Sequence, residues 1–183
     1  EPTRGDRLAV TLSTVGGNLD IYLVALADGA LTRVTSDPAI DTEAVFSPDG
    51  RSLYYTSDRA GSPQIYRAEA LANAPAKRMT FTGSYNARPR LSPDGKQLAM
   101  VTLAGGSYRV AAQDLATGVV RQLTKGPLDE SPSFAPNGAM LIYAGRDRGQ
   151  GVLATVAIDG LTTQRLKADE GEVREPVWGP RRP

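Results

Sequence analysis

One four-residue turn recurs three times along the chain, and its regular spacing restricts the fold more than any other feature of the sequence. The copies are Ser47–Gly50, Ser92–Gly95 and Ala135–Gly138, and Gly179–Pro180 is a degenerate fourth. Proline presets the first corner of a tight turn, Asp or Asn suits the second, and Gly accepts the left-handed backbone that follows. Each copy therefore predicts a reversal between two antiparallel strands.

Four strand-length runs accompany the turn in each repeat. A large apolar residue lies two positions before each turn proline, at Phe46, Leu91, Phe134 and Trp178, so the pattern returns about every 44 residues. Four strands in a repeat of this length are typical of a WD-repeat-like β-propeller blade. We therefore predict an all-β propeller of four four-stranded blades. Their approximate bounds are residues 7–35 with 173–180, then 41–80, 86–124 and 129–167.

The two ends of the chain fit this repeat in complementary ways. The first blade lacks its first strand, and the segment 173–180 resembles a first strand with no blade after it. We therefore expect the C-terminal strand to complete the first blade, so that residues 1–183 form one propeller region. If four blades do not close into a ring, we expect their apolar faces to drive self-association.

The residue types that the chain lacks exclude much catalytic and metal-binding chemistry. The 183 residues contain no Cys and no His, which removes thiol nucleophiles, the Ser-His-Asp triad and the usual zinc sites. A formal net charge of +1 provides no long-range field for nucleic acid, and no apolar run is long enough to span a membrane. We therefore predict a binding protein without a cofactor rather than an enzyme.

Several segments beyond the turn resemble the propeller of the TolB family. They are Thr56–Tyr66, Gln113–Gly118, Leu128–Ser133 and Glu175–Trp178. That family combines an N-terminal α/β domain with six blades, and the chain resembles the last four. The resemblance implies a non-enzymatic periplasmic scaffold of the Tol-Pal system of Gram-negative bacteria, which serves cell-envelope integrity and cell division. The implied partners are the lipoprotein Pal and the colicin translocation peptides that mimic Pal.

The loop before each first strand opens onto the mouth of the central channel in a propeller, so its side chains converge from every blade. We expect a partner-binding surface there. The resemblance adds that Thr42 and Glu43 match a Thr-Glu pair that contacts Pal in the family. The candidate contact residues are Thr42, Glu43, Asn86, Arg88, Asp129, Glu130, Arg174 and Glu175.

Two other functions stay open from the sequence. Ca²⁺ needs several converging oxygen ligands, and an ion- or small-ligand-binding propeller could place Glu43, Asp129, Glu130 and Glu175 around one cation, although nearby arginines would neutralise these carboxylates. The other alternative is the gating propeller of a prolyl-oligopeptidase-type peptidase, separated from its catalytic domain. Propellers of that class carry similar Ser-Pro-Asp-Gly turns.

Overall fold

A computed structural model describes residues 1–13, 17–166 and 172–179 of the chain. This described part contains fifteen strands and no helix. The strands are β1 (Arg7–Ser13), β2 (Leu19–Ala25), β3 (Leu31–Arg33), β4 (Asp41–Phe46), β5 (Ser52–Ser57), β6 (Gln64–Glu69), β7 (Lys77–Arg78), β8 (Asn86–Leu91), β9 (Gln97–Ala104), β10 (Ser107–Asp114), β11 (Val120–Gln122), β12 (Asp129–Phe134), β13 (Met140–Asp147), β14 (Gln150–Ala157) and β15 (Thr163–Leu166).

The recurring turn joins the first and second strands of a sheet, as its sequence predicts. Gly50, Gly95 and Gly138 have φ values of 69°, 70° and 71°, in the left-handed region that favours glycine. Each glycine N–H donates to the carbonyl oxygen three residues earlier, at 2.8 Å. In the first copy the Ser47 hydroxyl donates to Asp49 at 2.6 Å, and this bond holds the pKa of that carboxyl below its usual range.

The strands form four antiparallel sheets that each follow chain order. β1–β2–β3 form a three-stranded sheet, whereas β4–β7, β8–β11 and β12–β15 each form a four-stranded sheet. This repetition confirms the predicted all-β propeller fold class. The described C-terminal residues 172–179 are not assigned to a strand, and residue 180 lies outside the described residues. Completion of the first sheet by the C-terminal segment therefore stays a prediction.

Backbone contacts divide the chain into two compact units, Glu1–Pro89 (unit 1) and Arg90–Pro183 (unit 2). The boundary falls within β8, and a single propeller region over residues 1–183 stays a prediction. The core of unit 1 combines residues of its first two sheets: Ile21 of β2 and Val34 directly after β3 pack with Leu53 and Tyr55 of β5, and all four are fully buried. Because β5 is buried along its whole length, its apolar run shows no alternation.

Unit 2 has a core of the same kind. Ala99 and Val110 of one sheet share a cluster with Leu141 and Val156 of the next, and all four side chains are fully buried. Phe134, one of the four apolar landmark residues, lies in this cluster. Trp178 is only partly buried, and its backbone N–H donates to the Ser133 hydroxyl at 3.2 Å. The apolar run that follows each turn therefore supplies the packing between sheets.

Candidate partner-binding surface

The most distinctive backbone feature of the chain is a left-handed residue at one repeated position. Glu43, Arg88, Ser131 and Glu175 have φ values of 59°, 56°, 54° and 48°, although none of them is glycine. In β4 and β12 the pairing with the next strand shifts register at this position, which defines a β-bulge. Such backbone costs free energy, and non-glycine residues that adopt it cluster at functional sites. Three of these four residues, Glu43, Arg88 and Glu175, are candidate contact residues.

Glu43 is held in place by three groups of unit 1. The Thr56 hydroxyl donates to its carboxylate at 2.8 Å, and the backbone N–H of Arg88 donates to the same oxygen at 3.0 Å. The Arg88 guanidinium lies 3.2 Å from the other oxygen, and each side chain of this ion pair is one-third exposed. The carboxylate is therefore fixed in orientation on a side chain that is still partly exposed, as a recognition group requires.

The two residues that precede Glu43 in β4 have contrasting environments. Asp41 is fully buried, and the Arg59 side chain donates to its two carboxylate oxygens at 3.0 and 2.8 Å. This buried pair anchors the start of β4 from the inside. Thr42 is partly exposed, and no hydrogen bond of its side chain is found within the described ranges. Thr42 and Glu43 are therefore the adjacent candidate residues of unit 1 that a partner can reach.

Asn86 supports the structure rather than the surface. Its side chain is fully buried and donates to the Gln64 side chain at 3.0 Å and to the Thr82 carbonyl oxygen at 2.8 Å. Its backbone N–H donates to the Pro63 carbonyl oxygen at 2.8 Å. Asn86 was predicted to be a contact residue because it stands where a first strand begins. Its burial removes it from the surface that a partner could contact.

Asp129 of unit 2 is also internal. Only 3% of its surface is exposed, and its carboxylate accepts the N–H of Gly126 at 2.8 Å. The same carboxylate is so close to Gly126 and Gly145 that a Cβ at either position would clash with it. Polar residues at a strand start can face inward or outward, and the sequence does not distinguish the two. Asp129 is therefore a structural residue, like Asn86.

Two of the three remaining candidates of unit 2 line a small surface cleft. This cleft of about 140 Å³ is lined by Glu130 and Arg174, together with Arg146 and Glu172. Arg174 is exposed and donates to Glu172 from Nη2 at 2.6 Å, which raises the pKa of the guanidinium and lowers that of the carboxyl. Glu172 is not among the residues predicted from the sequence, although its partner Arg174 lies only two positions away. Glu175, the left-handed residue of this segment, is also exposed.

The acidic candidates do not form a metal centre within the described ranges of the chain. No group of three or more Asp, Glu, His or Cys side chains is close enough there to hold a metal ion. Glu43 is instead paired with Arg88, and Asp129 accepts a backbone N–H. Binding of Ca²⁺ by Glu43, Asp129, Glu130 and Glu175 stays an untested prediction. No helix in the described part of the chain could cross a membrane.

The known proteins that match the chain are of two kinds, some with high sequence identity to it and others with low sequence identity. The chain is 52% identical over 107 residues to the Tol-Pal system protein TolB of Nitrosospira multiformis, which covers 58% of the chain and 24% of that relative. It also matches the crystal structure of TolB from Acinetobacter baumannii at 48% identity and a TM-score of 0.89. This match covers 97% of the chain and 44% of that structure. The chain thus spans less than half of either relative.

A puromycin hydrolase represents the matches with low sequence identity. It matches with a TM-score of 0.73 but only 17% identity, over 96% of the chain and 31% of that protein, so this match shows the fold alone. The similar relative bears the name of a Tol-Pal system protein, which agrees with the prediction of a non-enzymatic chain. The family model of the TolB beta propeller domain matches residues 2–182. The suspected resemblance is therefore confirmed, and the chain belongs to the TolB beta propeller domain family.

Proposed function

We propose that the chain is a non-enzymatic recognition module of the periplasmic Tol-Pal system, and that it binds the lipoprotein Pal through the surface around Thr42 and Glu43. The observation that carries this proposal is the geometry of Glu43. Its carboxylate is oriented by Thr56 and Arg88, and its side chain is one-third exposed at a left-handed bulge. Because these contacts exist before binding, little ordering entropy is lost when a partner forms hydrogen bonds there.

The surface around Thr42 and Glu43 suits a polar protein partner. A carboxylate whose hydrogen bonds already fix its rotamer accepts N–H or O–H donors with directional preference. Thr42, the preceding residue, supplies a partly exposed hydroxyl group that can donate or accept. Colicin translocation peptides that mimic Pal would use the same groups. Arg88 holds the carboxylate and lies next to it, so we also assign it to the contact surface.

Calorimetric titration of the purified chain with the soluble domain of Pal tests this proposal. Thr42→Ala removes a hydroxyl that makes no hydrogen bond with the described residues, so a loss of affinity reports on partner contact. Glu43→Gln removes the charge with little change in shape. We expect each variant to weaken binding about tenfold or more, equivalent to about 1.4 kcal/mol.

A matched control keeps the result specific to this surface. Glu69→Gln removes the same charge from an exposed position of β6 in the same unit, and its dissociation constant should stay within about twofold of the parent. The proposal is wrong if the parent chain does not bind Pal, or if Thr42→Ala and Glu43→Gln both bind with the parent affinity. Equal weakening by Glu69→Gln would also contradict it, because a general charge effect would then explain the loss.

A further inference from the structure

A cleft in unit 1 lies apart from the bulge residues. It measures about 350 Å³, within the range of small-ligand pockets. Residues 34–38, which follow the first sheet, form one side, and residues 73–76 form another. The backbone N–H of Asn73 donates to the Arg33 carbonyl oxygen at 3.1 Å, which fixes the second segment against the first sheet. The walls include Val34, Pro38 and the run Ala74–Ala76, which carry no charge.

Tyr55 provides an unused hydrogen-bonding group in this cleft. Its side chain is fully buried, and its hydroxyl has no hydrogen-bond partner among the described residues. Burial raises the pKa of Tyr55, so the hydroxyl remains a neutral donor at physiological pH. Leaving a buried polar group unsatisfied costs about 1–3 kcal/mol. A phenylalanine at this position would avoid that cost, so the hydroxyl points to a hydrogen bond with a bound group.

Arg59 supplies a second donor in the same cleft. Its Nε donates to the Ser57 hydroxyl at 2.9 Å, and its Nη2 donates to Asp41. Its Nη1 lies 3.8 Å from the nearest oxygen of Asp37, beyond hydrogen-bond distance. The guanidinium carbon is 5.8 Å from the ring centre of Tyr55, so the two side chains are neighbours in the cleft. Asp37, which also lines the cleft, adds an acceptor.

The balance of charge indicates what this set of groups would bind. Arg59 already pairs with the buried Asp41, and Asp37 adds a second negative charge, so a carboxylate ligand would be repelled. We propose that the cleft binds an uncharged peptide segment, whose amide carbonyl accepts from Tyr55 and Arg59 while an amide N–H donates to Asp37. The apolar walls would contact small side chains of that segment. The residues that line the cleft do not include Thr42, Glu43 or Arg88 of the proposed Pal-binding surface.

An NMR titration of the full chain with N-acetyl-trialanine amide tests the proposal. Binding should move the backbone amide signals of residues 34, 35, 74 and 76, which line the cleft. Tyr55→Phe removes only the hydroxyl and should weaken binding about tenfold. Tyr143 lies at the equivalent position of the fourth sheet, so Tyr143→Phe makes the same chemical change in unit 2 and should change the affinity less than about twofold.

Three results would overturn the assignment. The first is no saturable shift of these signals up to about 50 mM peptide, where binding would be too weak to be specific. The second is equal affinity of the parent chain and Tyr55→Phe. The third is tighter binding of N-acetyl-trialanine with a free carboxylate than of the amide, which would identify a carboxylate site. None of these results depends on Pal, so they separate this proposal from the proposed function.

Discussion

The left-handed bulge can be tested by comparing alanine and glycine at the same position. Arg88 has a φ of 56°, whereas Arg67 in β6 has no positive φ and pairs in regular register with Tyr54 and Lys77. Both substitutions remove the guanidinium, so their difference isolates the backbone. Left-handed backbone costs an L-residue about 1–2 kcal/mol. Glycine in an extended strand is about 0.5–1 kcal/mol less favourable than alanine.

These values predict opposite signs at the two arginines. Arg88→Gly should be more stable than Arg88→Ala by about 0.5–1 kcal/mol, because relief of left-handed strain exceeds the entropic cost of glycine. Arg67→Gly should be less stable than Arg67→Ala by a similar amount. In urea unfolding followed by far-ultraviolet circular dichroism, this difference corresponds to roughly 0.2–0.5 M in the midpoint. The slope should be the same for all four variants.

The same experiment would also expose an error in this reasoning. If Arg88→Gly were less stable than Arg88→Ala by as much as glycine costs at Arg67, the backbone at Arg88 would be extended rather than left-handed. A change in slope confined to one variant would indicate an altered unfolding transition. In that case hydrogen exchange of the amides near Arg88 would compare the stability of the variants under native conditions.

Two further predictions concern unit 2. Burial, together with the nearby charge of Asp129, raises the pKa of Tyr143 to about 12. The stability that depends on its proton is therefore complete below about pH 10 and is lost as the pH rises toward 12, by about 1.4 kcal/mol per pH unit. In the parent chain the free energy of unfolding should fall with pH in that range by the contribution of one proton, and Tyr143→Phe should remove this contribution. An unchanged dependence of the unfolding free energy on pH would refute this. Leu141→Ala should destabilise the chain by about 2–5 kcal/mol in urea unfolding, since Leu141 is fully buried. Leu161→Ala, at an 85% exposed position, should change stability by less than about 0.5 kcal/mol, and similar losses for both would refute the core assignment.

The fold was predictable because local and periodic signals agree along the chain. Proline, Asp or Asn, and Gly specify the same turn three times, and the structure gives all three glycines the same left-handed φ. The apolar run after the first copy of the turn becomes β5, which is buried throughout, whereas the other strands of its sheet are only partly buried. Neither signal depends on distant contacts, so both can be recognised before the fold is known.

The residues of the partner-binding surface were harder to predict than the fold, because burial of a polar side chain depends on partners that are distant in sequence. Asn86 and Thr42 both stand near the start of a first strand, yet only Asn86 is enclosed, by Gln64 and by the segment after β7. Gln64 is distant in sequence, and its spacing gave no indication of this contact. Arg59 encloses Asp41 in the same manner from the loop after β5. Hydrogen bonds between separate elements therefore decide which candidates remain accessible.

One signal for the bulge was present in the sequence. Pro89, Pro132 and Pro176 directly follow three of the four left-handed residues, and proline within a sheet is confined mainly to edges and bulges because it lacks an N–H. The first strand lies at the edge of each four-stranded sheet, where a missing donor breaks no interior ladder. A repeated proline in an edge strand therefore indicated where the strand would depart from regular pairing.

At the repeated left-handed position the backbone conformation is the same in every copy, whereas the chemistry of the side chain differs. The left-handed φ values at the four positions lie within 48–59°, yet the residues are Glu43, Arg88, Ser131 and Glu175. The repeat thus fixes the local backbone, and the side chain at each copy is free to be acidic, basic or neutral. The left-handed strain belongs to the backbone and is common to the four copies, whereas contacts such as the ion pair of Glu43 and Arg88 belong to individual side chains. We therefore expect the side chains at the exposed copies to decide which partner binds, while the turns and apolar strands decide the fold.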